Sequence, residues 1–264
     1  MHTPMLEVQH LTKFFSGVAA VKDVSFDVGA GQIVGYLGPN GSGKTTTVNM
    51  LLGLLEPSHG VVRFQGRDIQ QDLVGYRRRV GYVPEEPHLY PYLSGREYLE
   101  LVGRLRRLPS RSLAEKIPAL LQLFGLAHDM DMAIGSYSKG MKQKVLISAA
   151  LLHDPELLIF DEPLSGLDVT TALVFRSLLR TLSERGKTIL YSSHALEVVE
   201  KVCAKVIILY RGQVVADDSV GRLRDLMALD SLEAVFSELV FREDPDRIAR
   251  DIADAAADST AGAR

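Results

Sequence analysis

The stretch GPNGSGKT, from Gly38 to Thr45, decides the fold of this chain. It follows an apolar segment, QIVGYLG (residues 32–38), and precedes a segment that we expect to form a helix from Lys44 to Gly53. Its spacing matches the phosphate-binding loop G-x-x-x-x-G-K-[ST], which lies between a strand and a helix. The glycines let backbone N–H groups converge on phosphate oxygens, and the helix N-terminus adds a partial positive charge. The stretch therefore predicts a nucleotide site.

Individual residues of this loop have distinct predicted roles. Lys44 supplies a point charge for the β- and γ-phosphates of a nucleotide, and the Thr45 hydroxyl can bind Mg²⁺. A glycine-rich turn without a ligand is the alternative, but the spacing and both flanking segments favour the nucleotide site. The predicted nucleotide-binding residues of the loop are Gly38, Pro39, Asn40, Gly41, Ser42, Gly43, Lys44, Thr45 and Thr46.

A second motif, LLIFDEP (residues 157–163), places two carboxylates at the end of an apolar strand. In an open α/β sheet, this edge faces the ligand crevice. Asp161 is therefore predicted to hold Mg²⁺ through water, and Glu162 is predicted to orient or deprotonate an attacking water molecule. A pair of solvated carboxylates is the alternative. Together with the phosphate-binding loop, this motif predicts a nucleotide hydrolase.

The composition is that of an ordinary globular protein, and it excludes several classes. The chain has 264 residues, 46% of them hydrophobic, and its net charge of −3 gives no overall basic field for nucleic acid. The single Cys203 excludes an intrachain disulfide and a multi-cysteine metal cluster, and it fits a reducing compartment. We expect no signal peptide, and we expect no membrane span because every apolar run is shorter than about 18 residues.

The pattern of the whole chain predicts an α/β fold. Alternating apolar and polar residues near the N-terminus indicate antiparallel strands, whereas apolar strands that alternate with helices indicate a parallel sheet. Helical periodicity replaces the strands from about residue 86 to residue 153, where Pro118 indicates a kink or an early break. The predicted strands are 6–11, 21–28, 32–38, 60–66, 79–84, 157–161, 188–193 and 204–210, with a helix at 169–185 and a hairpin at 211–216.

Three further segments connect these motifs to a known family. SYSKGMKQKV (136–145) lies just before the Asp161 strand, where the ATP-binding cassette (ABC) family carries its signature, usually Leu-Ser-Gly-Gly-Gln. LSGLD (164–168) resembles the D-loop of that family and ends in Asp168, and SSHALEVVE (192–200) resembles its switch-histidine loop with His194. Because these elements follow in the order found in the family, the chain resembles an ABC ATPase over most of its length.

The resemblance implies a particular division of the chain. The fold would be that of a P-loop NTPase, with a RecA-like core, an antiparallel β subdomain and an inserted α-helical subdomain. The cassette would span residues 1–240, with its core at 1–85 and 154–225 and its helical subdomain at 86–153. A short tail at 241–264, rich in small and polar residues, is expected to be partly disordered.

The resemblance also implies a site that two chains share. Similar proteins bind two ATP molecules between two cassettes packed head to tail, with the phosphate loop of one chain and the signature of the other on each ATP. Ser138 and the Gly140 N–H would then contact the γ-phosphate bound by the partner, and Asp168 would join the same nucleotide interface. His194 would be a second catalytic residue, with a hydrogen bond to the γ-phosphate. Phe15 stands where the family stacks an aromatic ring on adenine, and the implied cofactors are ATP and Mg²⁺.

The chain departs from the pattern of the family in two places. Lys139 replaces the first glycine of the signature, and Met141 replaces its glutamine. We hypothesise that Lys139 or Lys142 adds positive charge toward the ATP of the partner; solvated lysines on an exposed helix face are the alternative. Glu85 stands where the Q-loop of the family has glutamine, and a carboxylate is a competent Mg²⁺ ligand. The predicted metal ligands are therefore Thr45, Glu85 and Asp161.

The implied partners are a transmembrane permease and a second cassette, with no nucleic acid. We expect the second cassette to be an identical chain, and a different cassette is the alternative. The chain would lie in the cytoplasm, on the inner face of the cell membrane, held there by the permease. In related transporters the region after the Q-loop forms a groove for a permease helix, and here it contains Leu89, Tyr90, Tyr92 and Leu93. The segment DSLEAVFSELVF (230–241) is similar to the ending of exporter ATPases, so we expect export rather than import.

Two alternative functions use the same nucleotide chemistry. One is a soluble ABC ATPase that acts on ribosomes or DNA, although this chain has one phosphate loop and no insertion with sustained heptads. The other is a P-loop kinase, which would not explain the signature and the switch-histidine segment. The sequence does not identify a transported substrate.

Overall fold

Two sheets and a set of surrounding helices make up the described part of the chain. The computed structural model describes residues 4–193, 195–240, 250 and 253. Its strands are β1 (Leu6–Phe15), β2 (Val18–Val28), β3 (Ile33–Leu37), β4 (His59–Phe64), β5 (Arg67–Asp68), β6 (Val80–Val83), β7 (Leu157–Asp161), β8 (Thr188–Ser192), β9 (Lys205–Tyr210) and β10 (Gln213–Ser219). Its α-helices are α1 (Lys44–Leu51), α2 (Leu73–Arg78), α3 (Gly95–Leu105), α4 (Ser110–Leu123), α5 (Lys139–Leu151), α6 (Val169–Glu184), α7 (Leu196–Val202), α8 (Val220–Met227) and α9 (Leu232–Val240).

The larger sheet places the phosphate-binding loop and the acidic motif at the same edge. Its strand order is β10-β9-β3-β8-β7-β6, and all neighbouring strands are parallel except β9 and β10. β3 is buried along its whole length, as its uninterrupted apolar sequence predicts, and β7 is buried in the same way. Because both strands run in the same direction, the loop that follows β3 and the carboxylates that follow β7 lie at the carboxyl edge of one sheet. The predicted hairpin is confirmed as β9 and β10.

The smaller sheet is antiparallel, with the order β2-β1-β4-β5. β1 pairs with β2 and with β4 in antiparallel register, so that Leu6 lies opposite Val28 on one side and Phe64 on the other. These three side chains are buried, and they pack into the same hydrophobic cluster as β3 and α1. The alternation of apolar and polar residues in the N-terminal segments therefore predicted this sheet correctly, although β1 continues to Phe15.

The segment between β6 and β7 is helical, as predicted, and it has a hydrophobic cluster of its own. Leu99 of α3, Ile117 and Leu121 of α4 and Val145 of α5 are buried in that cluster. α3 begins with a capping box, in which Ser94 accepts a hydrogen bond from the Glu97 N–H and the Glu97 carboxylate accepts one from the Ser94 N–H. α5 connects this cluster to the larger sheet, because other apolar side chains of α5 pack with those of β7.

Pro118 does not break its helix. α4 continues from Ser110 to Leu123 with Pro118 inside it, so the expectation of an early break is wrong. Proline removes one backbone hydrogen bond from a helix interior. Here the buried side chains of Leu113, Ile117 and Leu121 hold the helix on both sides of the proline. Packing of the apolar face therefore outweighs the local cost.

The C-terminal helices cover the sheet on the side of α7. Leu232 and Val235 of α9 are buried against the cluster that contains Val199 of α7, which confirms the helical spacing read from the sequence. The Glu200 carboxylate accepts hydrogen bonds from the Arg224 guanidinium of α8 (3.0 Å) and from the Leu232 N–H (3.3 Å). One carboxylate thus connects α7, α8 and α9. Within the described residues, no helix combines the length and the apolar character that crossing a membrane requires.

Candidate functional site

The phosphate-binding loop connects β3 to α1. β3 ends at Leu37 and α1 begins at Lys44, close to the predicted boundaries. Gly43 precedes α1 in a left-handed conformation with φ of 103°, and a Cβ at this position would lie 2.6 Å from the carbonyl oxygen of Ala20 in β2. Glycine is therefore required where the loop passes close to the antiparallel sheet. Thr47 holds the first turn of α1, because its N–H and its hydroxyl both donate to the Gly43 carbonyl.

Lys44 extends back across the loop that precedes it. Its ammonium donates to the carbonyl oxygens of Gly38 (2.5 Å) and Pro39 (3.2 Å). Burial lowers the pKa of Lys44, and the nearby carboxylates of Asp161 and Glu162 oppose this effect, as does Glu85. The ammonium is thus fixed between the curled backbone of the loop and a group of negative charges.

The acidic side of the site comes from the end of β7. Asp161 is the last residue of that strand and is buried. Glu162 follows it with φ of 46°, and its N–H donates to the carbonyl of Ser192 at the end of β8. A non-glycine residue in the left-handed region carries backbone strain, and such strain is concentrated at functional sites. The position of Glu162 at the sheet edge is therefore fixed by the backbone of the neighbouring strand.

One pocket brings these groups together. It joins the loop, the start of α1 and the two carboxylates that follow β7, together with Glu85 beyond the end of β6. Ala20 of β2 also lines it, and no sequence pattern predicts that residue, because the contact depends on how the two sheets meet. The lining residues are Ala20, Pro39, Asn40, Gly41, Ser42, Gly43, Lys44, Thr45, Thr46, Glu85, Asp161 and Glu162.

The donor set of the pocket suits a magnesium–nucleotide complex. Thr45 offers a hydroxyl, and Asp161 and Glu85 offer carboxylate oxygens, all in the same pocket. Mg²⁺ prefers oxygen ligands and is commonly bound by one or two carboxylates together with substrate phosphates. In the described part of the chain, no three His, Cys, Asp or Glu side chains are grouped so that they could hold a metal ion. Two carboxylates and a hydroxyl are ligands of the type that Mg²⁺ accepts, and phosphate oxygens of a nucleotide would add to them.

Phe15 lies outside the lining of this pocket, at the end of β1. Its ring is 49% exposed, and the Lys13 ammonium lies 5.7 Å from the ring centroid. The neighbouring Phe14 packs edge-on against His59, with ring centroids 6.3 Å apart. Phe14 therefore packs on another ring, whereas Phe15 contacts a lysine at the surface. An exposed aromatic face of this kind is available for stacking.

The signature segment forms the start of α5, and it also lies outside the pocket lining. Ser138 is the N-cap residue, and its hydroxyl accepts a hydrogen bond from the Met141 N–H at 3.2 Å. Three lysines follow within the first two turns, and one of them, Lys144, lies 3.7 Å from the Asp168 carboxylate. The start of α5 therefore has exposed polar groups and a helix N-terminus, the arrangement that attracts an anion.

Asp168 begins the helix that follows the D-loop segment. Its carboxylate accepts hydrogen bonds from the Thr171 N–H (2.8 Å) and the Thr171 hydroxyl (2.6 Å), and it caps α6. These hydrogen bonds, with a contribution from the Lys144 charge, lower the pKa of Asp168 to about 2. Asp168 therefore has a local capping contact in addition to the nucleotide contact that the resemblance implies.

His194 lies outside the described residues. The chain on either side of it is described, and the Ser193 hydroxyl accepts a hydrogen bond from the Ala195 N–H at 3.1 Å. Asp161 lies opposite Ser192 in the parallel register of β7 and β8. β8 therefore ends, at Ser192, beside the strand end that carries the carboxylates.

In sequence, the chain is similar to proteins of one family. The sequence model of the family described as ABC transporter matches residues 21–165. The ABC transporter ATP-binding protein NatA of Bacillus subtilis (strain 168) is 38% identical over 226 residues, which cover 85% of this chain and 92% of NatA. The Nod factor export ATP-binding protein I of Cupriavidus metallidurans is 36% identical over 238 residues, which cover 90% of this chain and 78% of that protein.

In structure, the chain is similar to solved ATP-binding cassettes. An ATP binding subunit of an ABC transporter has a TM-score of 0.84 and 34% sequence identity, covering 89% of this chain and 99% of that one. A dimeric ATP-binding cassette in a post-hydrolysis state, bound to ADP and Pi, has a TM-score of 0.76 and 26% identity, covering 81% of this chain and 98% of that one. The similarity therefore extends over nearly the full length of both solved chains.

Proposed function

Because the chain belongs to the ABC transporter family, as an ATP-binding and ATP-hydrolysing subunit, we propose that two copies close head to tail around two ATP molecules. The proposal rests on the observation that the predicted ATP-binding residues of one chain do not all lie in one pocket. The phosphate-binding loop and the carboxylates line one pocket, whereas Ser138 and Gly140 lie outside it. A second chain that places its Ser138 over the pocket would complete the ATP site. Similarity to a dimeric cassette bound to ADP and Pi supports the arrangement.

The family also decides between the alternative functions. The relatives are ATP-binding proteins of transporters, which sets aside the soluble ABC ATPase acting on ribosomes or DNA. A P-loop kinase is set aside for the same reason. The chain is thus the subunit that supplies energy to a transporter, and the details of its site and partners follow as proposals.

Nucleotide binding would use the phosphate-binding loop and Lys44. The backbone N–H groups of the loop and the N-terminus of α1 face the pocket and would receive the phosphate oxygens. Lys44 would exchange its contacts with the Gly38 and Pro39 carbonyls for the β- and γ-phosphates. Phe15 would stack on the adenine ring, and Asp168 would face the nucleotide at the dimer interface, as the family resemblance implies.

Thr45, Asp161 and Glu85 would hold Mg²⁺ together with the phosphate oxygens. The ion, when bound, would neutralise charge on the β- and γ-phosphates. Glu85 adds a negative charge that the glutamine of the family lacks, and Lys44 is surrounded by Glu85, Asp161 and Glu162. Metal-free ATP would therefore meet electrostatic repulsion in this pocket, and the protein would favour the nucleotide in its metal complex.

Hydrolysis would depend on Glu162. Its carboxylate would orient a water molecule and accept its proton as the water attacks the γ-phosphorus. The bond from the γ-phosphorus to the bridging oxygen breaks in the same reaction, which leaves ADP and inorganic phosphate. His194 would hydrogen-bond the γ-phosphate, and Ser138 of the second chain would do the same from the opposite side. Closure of the dimer would exclude other water from the reaction.

A groove beside the helical segment is the proposed docking site for a permease. Among its lining residues are Leu52, Leu54 and Tyr82, and the side chain of Leu54 is 62% exposed. The region after the Q-loop, which the sequence predicts as part of this site, lies before α3. Its residues Tyr90 and Tyr92 are 61% and 93% exposed. Exposed apolar side chains of this kind can take part in a protein interface. Leu89 and Leu93 are only partly buried and complete the predicted region.

A separate permease would hold the chain at the inner face of the cell membrane, and transport would be outward. Two features support export: the α9 segment is similar to the ending of exporter ATPases, and one relative is named as a Nod factor export protein. The direction and the substrate would both be set by the permease. Uptake into inverted membrane vesicles that depends on added ATP would support export.

Purification from detergent-solubilised membranes tests the proposed partner. The tagged chain is expected to recover a protein with several membrane-spanning helices, and Leu54→Asp is expected to reduce its recovery about tenfold, because the change places a charge in an apolar contact. Leu123→Asp is the matched control, since Leu123 is also exposed (80%) but lies on α4, outside the groove. Recovery of ribosomal proteins or DNA in place of a membrane protein would overturn the proposal, and so would equal losses in both variants.

A further inference from the structure

The signature segment and the D-loop segment of the same chain are in direct backbone contact. The carbonyl oxygen of Gly166 lies 2.5 Å from the position that a Cβ on Gly140 would take. No larger residue at position 140 could keep this approach, because real Cβ atoms are not found so close to a carbonyl oxygen. Gly140 is thus required by a contact within one chain, in addition to its implied role at the γ-phosphate of the partner.

The side chain of Lys139 packs on Gly166, the other glycine of this contact. Gly166 is in the left-handed region, with φ of 79°, and the Lys139 Cβ, Cγ and Cδ atoms lie 3.3, 3.0 and 3.1 Å from the position of a Cβ on Gly166. The methylene stem of Lys139 therefore covers the glycine where the loop turns. Lysine commonly packs its stem on a surface in this way while its ammonium stays in water.

A second contact connects the same two segments. The Lys144 ammonium, on the next turn of α5, lies 3.7 Å from the Asp168 carboxylate, and the Lys144 side chain is only 16% exposed. Asp168 in turn caps α6 through Thr171. The loop from Gly166 to Asp168 is therefore attached to α5 at both of its ends, by the Lys139 stem and by the Lys144 charge.

We propose that Lys139 is a positioning residue whose methylene stem, rather than its charge, holds the 164–168 loop on the start of α5. Ser138, Gly140 and Asp168 then move as one unit when two chains close around ATP. This inference rests on the head-to-tail dimer of the proposed function. It replaces the hypothesis that Lys139 directs positive charge toward the ATP of the partner, and it explains why a lysine can stand where the family has glycine.

Two substitutions separate the stem from the charge. Lys139→Met keeps an unbranched stem of similar length and removes the charge, whereas Lys139→Ala removes both and keeps a good helix former at the start of α5. Each is combined with Glu162→Gln, and ATP-dependent dimerisation is measured by light scattering over a range of protein concentrations. Lys139→Ala is expected to weaken dimerisation about fivefold, from the lost packing of the methylene groups. Lys139→Met is expected to dimerise like its parent.

Steady-state kinetics and ADP binding provide the second readout. In chains that keep Glu162, Lys139→Ala is expected to lower kcat about fivefold. The affinity of the single chain for ADP is expected to stay unchanged. Unchanged ADP affinity also shows that the variant is folded. Equal losses in Lys139→Met and Lys139→Ala would overturn the inference in favour of the charge, and wild-type behaviour of Lys139→Ala would overturn it outright. A parent chain that binds ADP but never dimerises with ATP would instead refute the proposed function, and the inference with it.

Discussion

Glu162→Gln is expected to lower the rate of ATP hydrolysis about a hundredfold or more, while ATP binding remains. The amide has nearly the same shape as the carboxylate, but it cannot accept a proton from the attacking water. Glu162 lies at the strained position after β7, beside Asp161 in the pocket. Because ATP would then persist between the two chains, the variant is expected to accumulate as a closed dimer with twice the mass of one chain.

A matched substitution at the opposite end of the same strand is the control for Glu162→Gln. Glu156 precedes the first residue of β7, whereas Glu162 follows the last, so the two carboxylates lie at opposite edges of the sheet. Glu156 forms an ion pair with Arg79 at 2.5 Å. Glu156→Gln is expected to hydrolyse ATP at close to the normal rate. Hydrolysis by initial rates and mass by light scattering are measured for both variants. Normal turnover in Glu162→Gln would remove Glu162 from the catalytic role.

Lys44→Ala is expected to lower the affinity for ATP about a hundredfold, because it removes the positive charge from a pocket that also holds three carboxylates. The contacts of Lys44 with Gly38 and Pro39 show that its ammonium already lies among the atoms of the loop. Without it, the phosphates of ATP would lie beside Glu85, Asp161 and Glu162 with only the backbone N–H groups and the bound Mg²⁺ to offset the negative charge. Titration with a fluorescent ATP analogue measures the loss.

Lys201→Ala controls for the removal of a lysine in general. Lys201 is exposed on α7 and does not line the pocket. Its removal is expected to leave ATP affinity unchanged. Unchanged affinity in Lys44→Ala, measured on protein with the same unfolding midpoint as the parent, would contradict the assignment of the pocket as the phosphate site.

The sequence predicted those parts of the fold that depend on local patterns. The uninterrupted apolar run of β3, followed by a glycine-rich loop and a helix, specified the centre of the sheet and the pocket at its edge. The carboxylates after β7 were predicted for the same reason, because the end of a parallel strand always faces one edge. The helices α2, α7 and α8 are short, with six to eight residues each, and their patterns are too brief to predict a helix.

Contacts between distant segments could not be predicted in this way. Ala20 enters the pocket only because β2 crosses near Gly43, and the approach of Gly166 to Gly140 depends on how the helical segment packs beside the sheet. The capping role of Asp168 did have a signal, since an aspartate immediately before the first residue of a helix is typical of an N-cap. The resemblance to the D-loop predicts a nucleotide contact for the same residue.

Each proposed ATP site is made by two chains, so a mixture of two inactive variants is expected to regain activity. Lys44→Ala has a defective phosphate-binding loop and an intact signature segment. Ser138→Arg has a defective signature segment and an intact phosphate-binding loop. Each variant alone forms no complete site, but a mixed dimer contains one. We expect an equal mixture to recover up to about a quarter of wild-type hydrolysis, since half of the dimers are mixed and each of these has one of its two sites complete. A mixture no more active than the two variants measured separately would contradict an ATP site made by two chains.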